Sequence, residues 1–219
     1  MNGATTVSLV GVGGQGILLG AQVLAEAAMA EGLDVKASEV KGMAQRGGSV
    51  LSTVRFGRHV YSPVARHADM VIATEMLEGL RGLALLGTRG TLVCSSMRID
   101  EHTSVPLLGT RGTLVCSSMR IAPASVLRGE EAYPDEEALK AAARGIRLVV
   151  VDAEALAREA GDRRAANVVL LGAASLALPI SPASWERGLT AALPGKVIDV
   201  DRRAFALGRD AGAGQEAVP

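Results

Sequence analysis

Apolar residues change rhythm along this chain, and the changes mark its elements. Thr5 to Val10 is a short apolar run that predicts a first strand. Gly16 to Ala30 then carries small and aliphatic residues at helical spacing, with Glu31-Gly32 as a stop. Asp34 to Val40 and Ser49 to Phe56 read as two further strands. A glycine-rich stretch joins them where a crossover helix would be expected, which predicts a hairpin-like step. Gly57 to His67 is a loop, Asp69 to Thr74 a short strand and Glu75 to Leu85 a helix. Downstream, Glu136 to Ala143 is helical, and Ile146 to Val151 has the near-continuous apolar character of a strand covered on both faces. Asp152 is placed to cap a helix over Ala153 to Ala160. Ala165 to Leu178 predicts a buried helix in which Gly172 and the alanines allow close approach, and Pro182 to Leu193 a helix carrying the lone Trp185. Lys196 to Val200 reads as a last strand, followed by a short helix to Leu207. The residues from Gly208 to Pro219 read as a disordered tail.

Alternating strands and helices give an α/β three-layer sandwich with a mainly parallel, Rossmann-like sheet, in one domain over residues 1–207. One feature interrupts the alternation. Leu85 to Ile99 and Leu107 to Ile121 are the same fifteen residues, a tandem duplication of a segment containing one strand, Thr-Leu-Val-Cys-Ser. Two identical copies do not make a solenoid. The sequence predicts one copy in the sheet and the other looped out. The second copy is favoured, because the first copy's exit, Asp100-Glu101-His102, is polar and loop-like.

Composition narrows the chemistry. Lys plus Arg and Asp plus Glu both number 23, and aromatics are 2%. Neither a basic face nor a stacking platform for nucleic acid is indicated. There are 2 cysteines, Cys94 and Cys116, too few for an iron–sulfur cluster, which takes four thiolates. His59, His67 and His102 show no metal-ligand spacing. The start of the chain shows no signal peptide, and no apolar run is long enough to span a bilayer, so a soluble cytoplasmic protein with no membrane contact is expected. A hydrolase nucleophile elbow, a Walker lysine and a thiamine-type Gly-Asp-Gly motif are all absent from the sequence.

Two stretches do carry chemistry. Gly11-Val12-Gly13-Gly14-Gln15-Gly16 lies between the first strand and the first helix. Glycines at 11, 13 and 16 permit positive φ and close ligand approach, and the helix N-terminus behind them favours a phosphate or carboxylate. The second is Lys36 to Ser49, Lys-Ala-Ser-Glu-Val-Lys-Gly-Met-Ala-Gln-Arg-Gly-Gly-Ser. Arg46 beside Gly47 and Gly48 offers a cation next to exposed backbone N–H groups, and Gln45 a neutral donor, for an anion or a partner chain. Glu39 and Lys41 can instead pair at the strand end. Gly11-x-Gly13-x-x-Gly16 with Glu39 twenty-three residues on also fits a dinucleotide fingerprint, so an autonomous NAD(P)-dependent oxidoreductase is the alternative reading.

Together the two glycine motifs, with Val60-Tyr61-Ser62-Pro63, Arg164-Ala165-Ala166-Asn167 and Ala204-Phe205-Ala206-Leu207-Gly208, resemble the small (beta) subunits of indolepyruvate:ferredoxin oxidoreductases. More broadly, they resemble the gamma subunits or domains of 2-oxoacid:ferredoxin oxidoreductases. The resemblance covers nearly the whole chain apart from the duplication and the tail. It implies an accessory subunit, inactive alone, of a heteromer that decarboxylates a 2-oxoacid oxidatively, passes electrons to ferredoxin and forms an acyl-CoA. Thiamine diphosphate, magnesium and 4Fe-4S clusters are then expected on a large (alpha) partner subunit, with coenzyme A as co-substrate. No catalytic residue is assigned to this chain. The ligand- or interface-binding residues implied are Gly11, Gly13, Gly14, Gln15, Gly16, Glu39, Lys41, Met43, Gln45, Arg46, Gly47, Gly48 and Ser49. Lys41 stands where many members of that family carry histidine, so no proton-transfer role passes to it.

Overall fold

A computed structural model describes residues 3–41, 48–86, 113–117, 136–143 and 147–213. Its strands are β1 (Thr5–Val12), β2 (Asp34–Lys41), β3 (Ser49–Gly57), β4 (Met70–Ala73), β5 (Thr113–Ser117) and β6 (Arg147–Val151). They form a six-stranded sheet in the order β2-β3-β1-β4-β5-β6. β3 is antiparallel to both β1 and β2, while β1, β4, β5 and β6 are parallel neighbours. Only β3 therefore runs against the rest, as the missing crossover helix before it predicts.

Strand alternation sorts the side chains to two faces. Val7, Leu9, Val54, Phe56, Met70, Ile72, Val115, Val149 and Val151 face a large layer of helices: α1 (Ile17–Ala30), α4 (Ala153–Ala160), α5 (Ala166–Ser175), α6 (Pro182–Ala192) and α7 (Ile198–Ala213). Val10, Val71, Ala73, Cys116 and Leu148 face a smaller layer of α2 (Met76–Gly82), a 3-10 turn at Leu83–Leu85 and the end of α3 (Glu136–Ala142). Where β1 and β3 extend past that smaller layer, this second face turns polar. Ser8 and Thr53 hydroxyls meet at 3.2 Å. Arg55 reaches over to donate to Ser62 O at 2.6 Å and Val64 O at 2.8 Å, tying down the loop that follows β3.

Two expectations are corrected at the C-terminus. Lys196 to Val200 is no strand; the chain turns at Pro194–Val197 and enters α7 at Ile198. Nor does order stop at Gly208, because α7 runs to Ala213, with 214–219 outside the described residues. The buried positions Asp201, Ala204, Phe205, Gly208 and Gly212 explain both points. They form one helical stripe, and its glycines are contact points. A Cβ on Gly208 would lie 1.9 Å from Val169 O of α5, and one on Gly172 would lie 2.1 Å from Phe205 O of α7. The two helices thus touch backbone to backbone. Phe205 also meets Trp185 of α6, with ring centroids 5.3 Å apart.

The second copy of the repeat, Thr113–Ser117, fills the slot between β4 and β6, as the sequence favours. The first copy's strand residues, 91–95, lie outside the described residues.

Candidate functional site

The glycine motif begins inside β1. Gly11 and Val12 still pair with Val50 and Ser49 of β3. Gly11 is required to be small for a packing reason, since a Cβ there would fall 1.9 Å from Thr74 Oγ1. Positive φ is found at Gly14 (103°) and Gly16 (73°), and not at Gly11 or Gly13 as the sequence suggests. Gly16 is thus left-handed as the sequence suggests, while the other left-handed position falls at Gly14, one residue after Gly13. Gly16 is the N-cap of α1 and no side chain caps the helix, which leaves first-turn N–H groups facing the loop.

The loop is held in shape by a side chain within it. Gln15 Oε1 accepts from Val12 N–H at 2.7 Å and from the Thr74 hydroxyl at 2.6 Å. Its Nε2 donates to Thr74 O at 3.4 Å. Gln15 thereby clips the end of β1 to the end of β4, the two parallel strands at which the chain switches sheet direction. In open α/β sheets, ligands lie outside the carboxyl ends of strands at such a point. From behind, Asn167 of α5 donates through Nδ2 to Gly16 O at 3.0 Å, while its Oδ1 is buried without a partner.

The second glycine motif arrives at the same edge. Because β3 runs antiparallel to β1, its start lies beside the end of β1, and Gly13 N–H donates to Gly48 O at 2.9 Å. Ser49 donates its hydroxyl to Glu78 Oε2 at 2.7 Å, and Glu78 Oε1 accepts from Arg81 at 2.7 Å. Glu75 caps α2 by accepting from Glu78 N–H at 2.5 Å. Cys116 donates its thiol to Glu75 O, and burial, with the Glu75 charge adding, pushes that thiol well up from its ordinary pKa. It is no reactive thiolate.

Of the residues singled out by sequence, the structure brings Gly11, Gly13, Gly14, Gln15, Gly16, Gly48 and Ser49 together. Met43, Gln45, Arg46 and Gly47 lie outside the described residues, as does the side chain of Lys41. Glu39 is not at the loop. It pairs with Ser52, which pairs with Leu9, so a whole strand separates it from β1, roughly 10 Å away. The dinucleotide fingerprint needs that acid on the strand next to β1, and the insertion of β3 removes it. Val60-Tyr61-Ser62-Pro63 belongs to the other edge, where Val60 N–H donates to Asp34 at the start of β2. Thr74, Glu75, Glu78 and Asn167 are site neighbours that the motif reading does not single out. The signal for the first two was their place directly after β4.

Among the described residues no three His, Cys, Asp or Glu side chains group to hold a metal ion. With 2 cysteines in the whole chain, the donor set does not fit an iron–sulfur cluster either. No helix among the described residues is long and apolar enough to cross a membrane.

The model of the pyruvate ferredoxin/flavodoxin oxidoreductase family matches residues 6–211. The chain belongs to that family. Among curated members it is 36% identical over 209 residues to indolepyruvate oxidoreductase subunit IorB of Thermococcus kodakarensis, covering 92% of this chain and 93% of the relative. It is 34% identical to the protein of the same name from Archaeoglobus fulgidus, covering 92% of each. Solved structures of the family share the fold. The gamma subunit of a keto/oxoacid ferredoxin oxidoreductase from Geobacter sulfurreducens matches with TM-score 0.65 at 20% identity, over 96% of this chain and 99% of that one. The 2-oxoglutarate:ferredoxin oxidoreductase of Magnetococcus marinus, solved with 2-oxoglutarate, coenzyme A and succinyl-CoA bound, matches with TM-score 0.71 at 18% identity. That match covers 99% of this chain but 32% of the larger one. As a member of the family, the chain is an accessory subunit of a 2-oxoacid ferredoxin oxidoreductase, which implies a larger partner subunit.

Proposed function

We propose that this chain is the small subunit of an arylpyruvate-type, indolepyruvate-oxidising ferredoxin oxidoreductase, and that its glycine edge holds an anionic group of coenzyme A or of the partner chain beside the active centre. The hydrogen bond from Gly13 N–H to Gly48 O supports this most directly. It joins two glycine motifs, more than thirty residues apart in sequence, at one sheet edge. The uncapped start of α1 adds N–H donors there, and Arg46 stands two residues before Gly48 in the second motif. Backbone N–H groups and a guanidinium suit a diphosphate or carboxylate. Thiamine diphosphate, magnesium and iron–sulfur clusters belong, in this reading, to the large subunit, which decarboxylates the 2-oxoacid and passes electrons to ferredoxin. The small subunit binds and orients, and works in the cytoplasm.

Co-expression with the large subunit tests this. The complex is expected to reduce ferredoxin only when an arylpyruvate and coenzyme A are both present, and the small chain alone to do nothing. Stoichiometric iron–sulfur absorbance in the purified single chain, or full activity of the large subunit without it, would overturn the assignment.

A further inference from the structure

A small cavity lies against the polar part of the sheet's second face. Its volume is about 80 Å³. Strand residues Thr6 and Ser8 of β1, with Thr53 of β3, line one side. Arg66 and His67, at the end of the loop that leads into β4, line the other. Ser8 stands five residues before Gly13, roughly 16 Å along β1 at the usual rise per residue, so the cavity and the glycine edge are separate places.

The lining is rich in donors. The hydroxyls of Ser8 and Thr53 meet at 3.2 Å, where one proton serves the bond and the other is left to donate. Thr6 Oγ1 accepts from Arg55 Nε at 3.3 Å and keeps its own proton. His67 makes no hydrogen bond among the described residues, and its Nδ1 is buried without a partner. No bond therefore dictates which imidazole nitrogen faces the cavity. Buried polar groups nearly always have a partner, so such an orphan is a candidate ligand contact. Arg66 is exposed, with no ion pair among the described residues. No Asp or Glu lines the cavity, and the carboxylate of Asp69, next along the chain, is engaged by Thr6 N–H at 2.8 Å. The site thus offers donors and a fixed positive charge with no negative charge to balance them. Sites for drug-sized ligands run to about 300–1,000 Å³. This one has room for a group of carboxylate or phosphate size.

We propose that this cavity binds a small oxyanion, a phosphate or a short carboxylate, between Arg66 and His67 on the loop and the hydroxyls of Ser8 and Thr53 on the sheet. The site does not depend on the coenzyme A reading of the glycine edge. Bound there, the anion fastens the end of a loop that Asp34 already holds at Val60, and Arg55 at Ser62 and Val64.

Imidazole NMR of the full chain tests this. The chain has 3 histidines, and His67→Gln assigns the signal of interest by its loss. Inorganic phosphate and acetate are titrated in separate arms at fixed pH and ionic strength. The His67 signal is expected to shift saturably in at least one arm, which names the class of anion, while those of His59 and His102 stay in place. Arg66→Gln, at an exposed position, is expected to raise the dissociation constant by about tenfold or more, the worth of a charge-assisted hydrogen bond. Thr53→Val, which keeps the branched shape and removes the hydroxyl, should raise it as well. Absence of a saturable shift in both arms, equal shifts of all three histidines, or an unchanged dissociation constant in folded Arg66→Gln would show a cavity that holds water only, and would overturn the proposal.

Discussion

The hydroxyl of Ser49 donates to Oε2 of Glu78 at 2.7 Å, pinning the first residue of β3 to the helix that follows β4. Glu78 is 4% exposed, and its other oxygen is taken by Arg81. Removing the hydroxyl leaves a buried carboxylate oxygen short of a donor, which costs about 1–3 kcal/mol. Ser49→Ala should therefore lower the denaturation midpoint, and Ser49→Thr should restore most of it. In the assembled enzyme Ser49→Ala should also weaken coenzyme A saturation, because Ser49 closes the second glycine motif. Parent-like stability and KM together would show that the pin is idle.

Gly14 and Gly16 separate backbone strain from packing. Both have left-handed φ, which costs an alanine about 1–2 kcal/mol. A Cβ at Gly14 meets nothing within 4 Å, while one at Gly16 comes within 2.7 Å of Asn167 Nδ2. Gly16→Ala should thus destabilise by about 1 kcal/mol more than Gly14→Ala, the worth of the Asn167 bond. Equal midpoints in urea would mean that Asn167 does not support the loop.

Where α5 crosses α7, glycine is a steric requirement. Gly208→Ala and Gly172→Ala each place a carbon about 2 Å from a carbonyl oxygen of the facing helix, and overpacking of this kind costs about 1–3 kcal/mol or more. Gly195→Ala, with nothing within 4 Å, is the matched control and should stay within about 0.5 kcal/mol of the parent. Thermal melts of the three variants check the ranking.

Arg46 lies next to Gly47 and Gly48 in the segment between β2 and β3. Arg46→Ala should change stability by less than about 0.5 kcal/mol, the usual range for a substitution that removes no packing, cap or strained backbone. It should weaken coenzyme A or partner binding by about 1.5–3 kcal/mol, the worth of a charge-assisted hydrogen bond. Calorimetry with the assembled enzyme reads both quantities, and unchanged affinities for both would remove Arg46 from the site.

Glu31, just after α1, accepts from the Ser181 hydroxyl at 2.7 Å and from Ser181 N–H at 2.8 Å. These bonds, the hydroxyl's first, hold its pKa below the ordinary carboxylate range. A depressed folded pKa gives stability that is complete above the unfolded value and lost as pH falls through the folded one. The melting-temperature gap between parent and Glu31→Gln should therefore be full at pH 7 and close as pH falls below about 4. A gap that persists in strong acid would place its origin elsewhere.

The sequence carried the order of most elements because their signals are local. The apolar run into Gly11, the helical spacing after Gly16, and Asp152 ahead of Ala153 each act within a few residues. Asp152 does cap α4, accepting from Ala155 N–H at 3.1 Å. What stayed hidden depends on contacts distant in sequence. Glu39 has the right spacing for a ribose acid, and only the placement of β3 between its strand and β1 removes it from the site. Gly208 and Gly212 look like the start of a loose tail until α5 is beside them. Gly16 is left-handed as its place in the fingerprint suggests, but Gly11 still pairs within β1 and the second left-handed position falls at Gly14, inside the turn that Gln15 and Thr74 close, and not at Gly13. Asn167 reaches Gly16 from 151 residues away, and no local pattern announces it.

The antiparallel β3 also bears on how quickly the site assembles. β2 and β3 pair antiparallel and are close in sequence, and β3 also pairs with β1. Hairpins close in about 1–10 μs, far sooner than pairings that span long connections. β5 and β6 must wait for such connections. The glycine edge is therefore expected to pair early as well as to bind, and a lesion there should slow refolding in addition to weakening turnover.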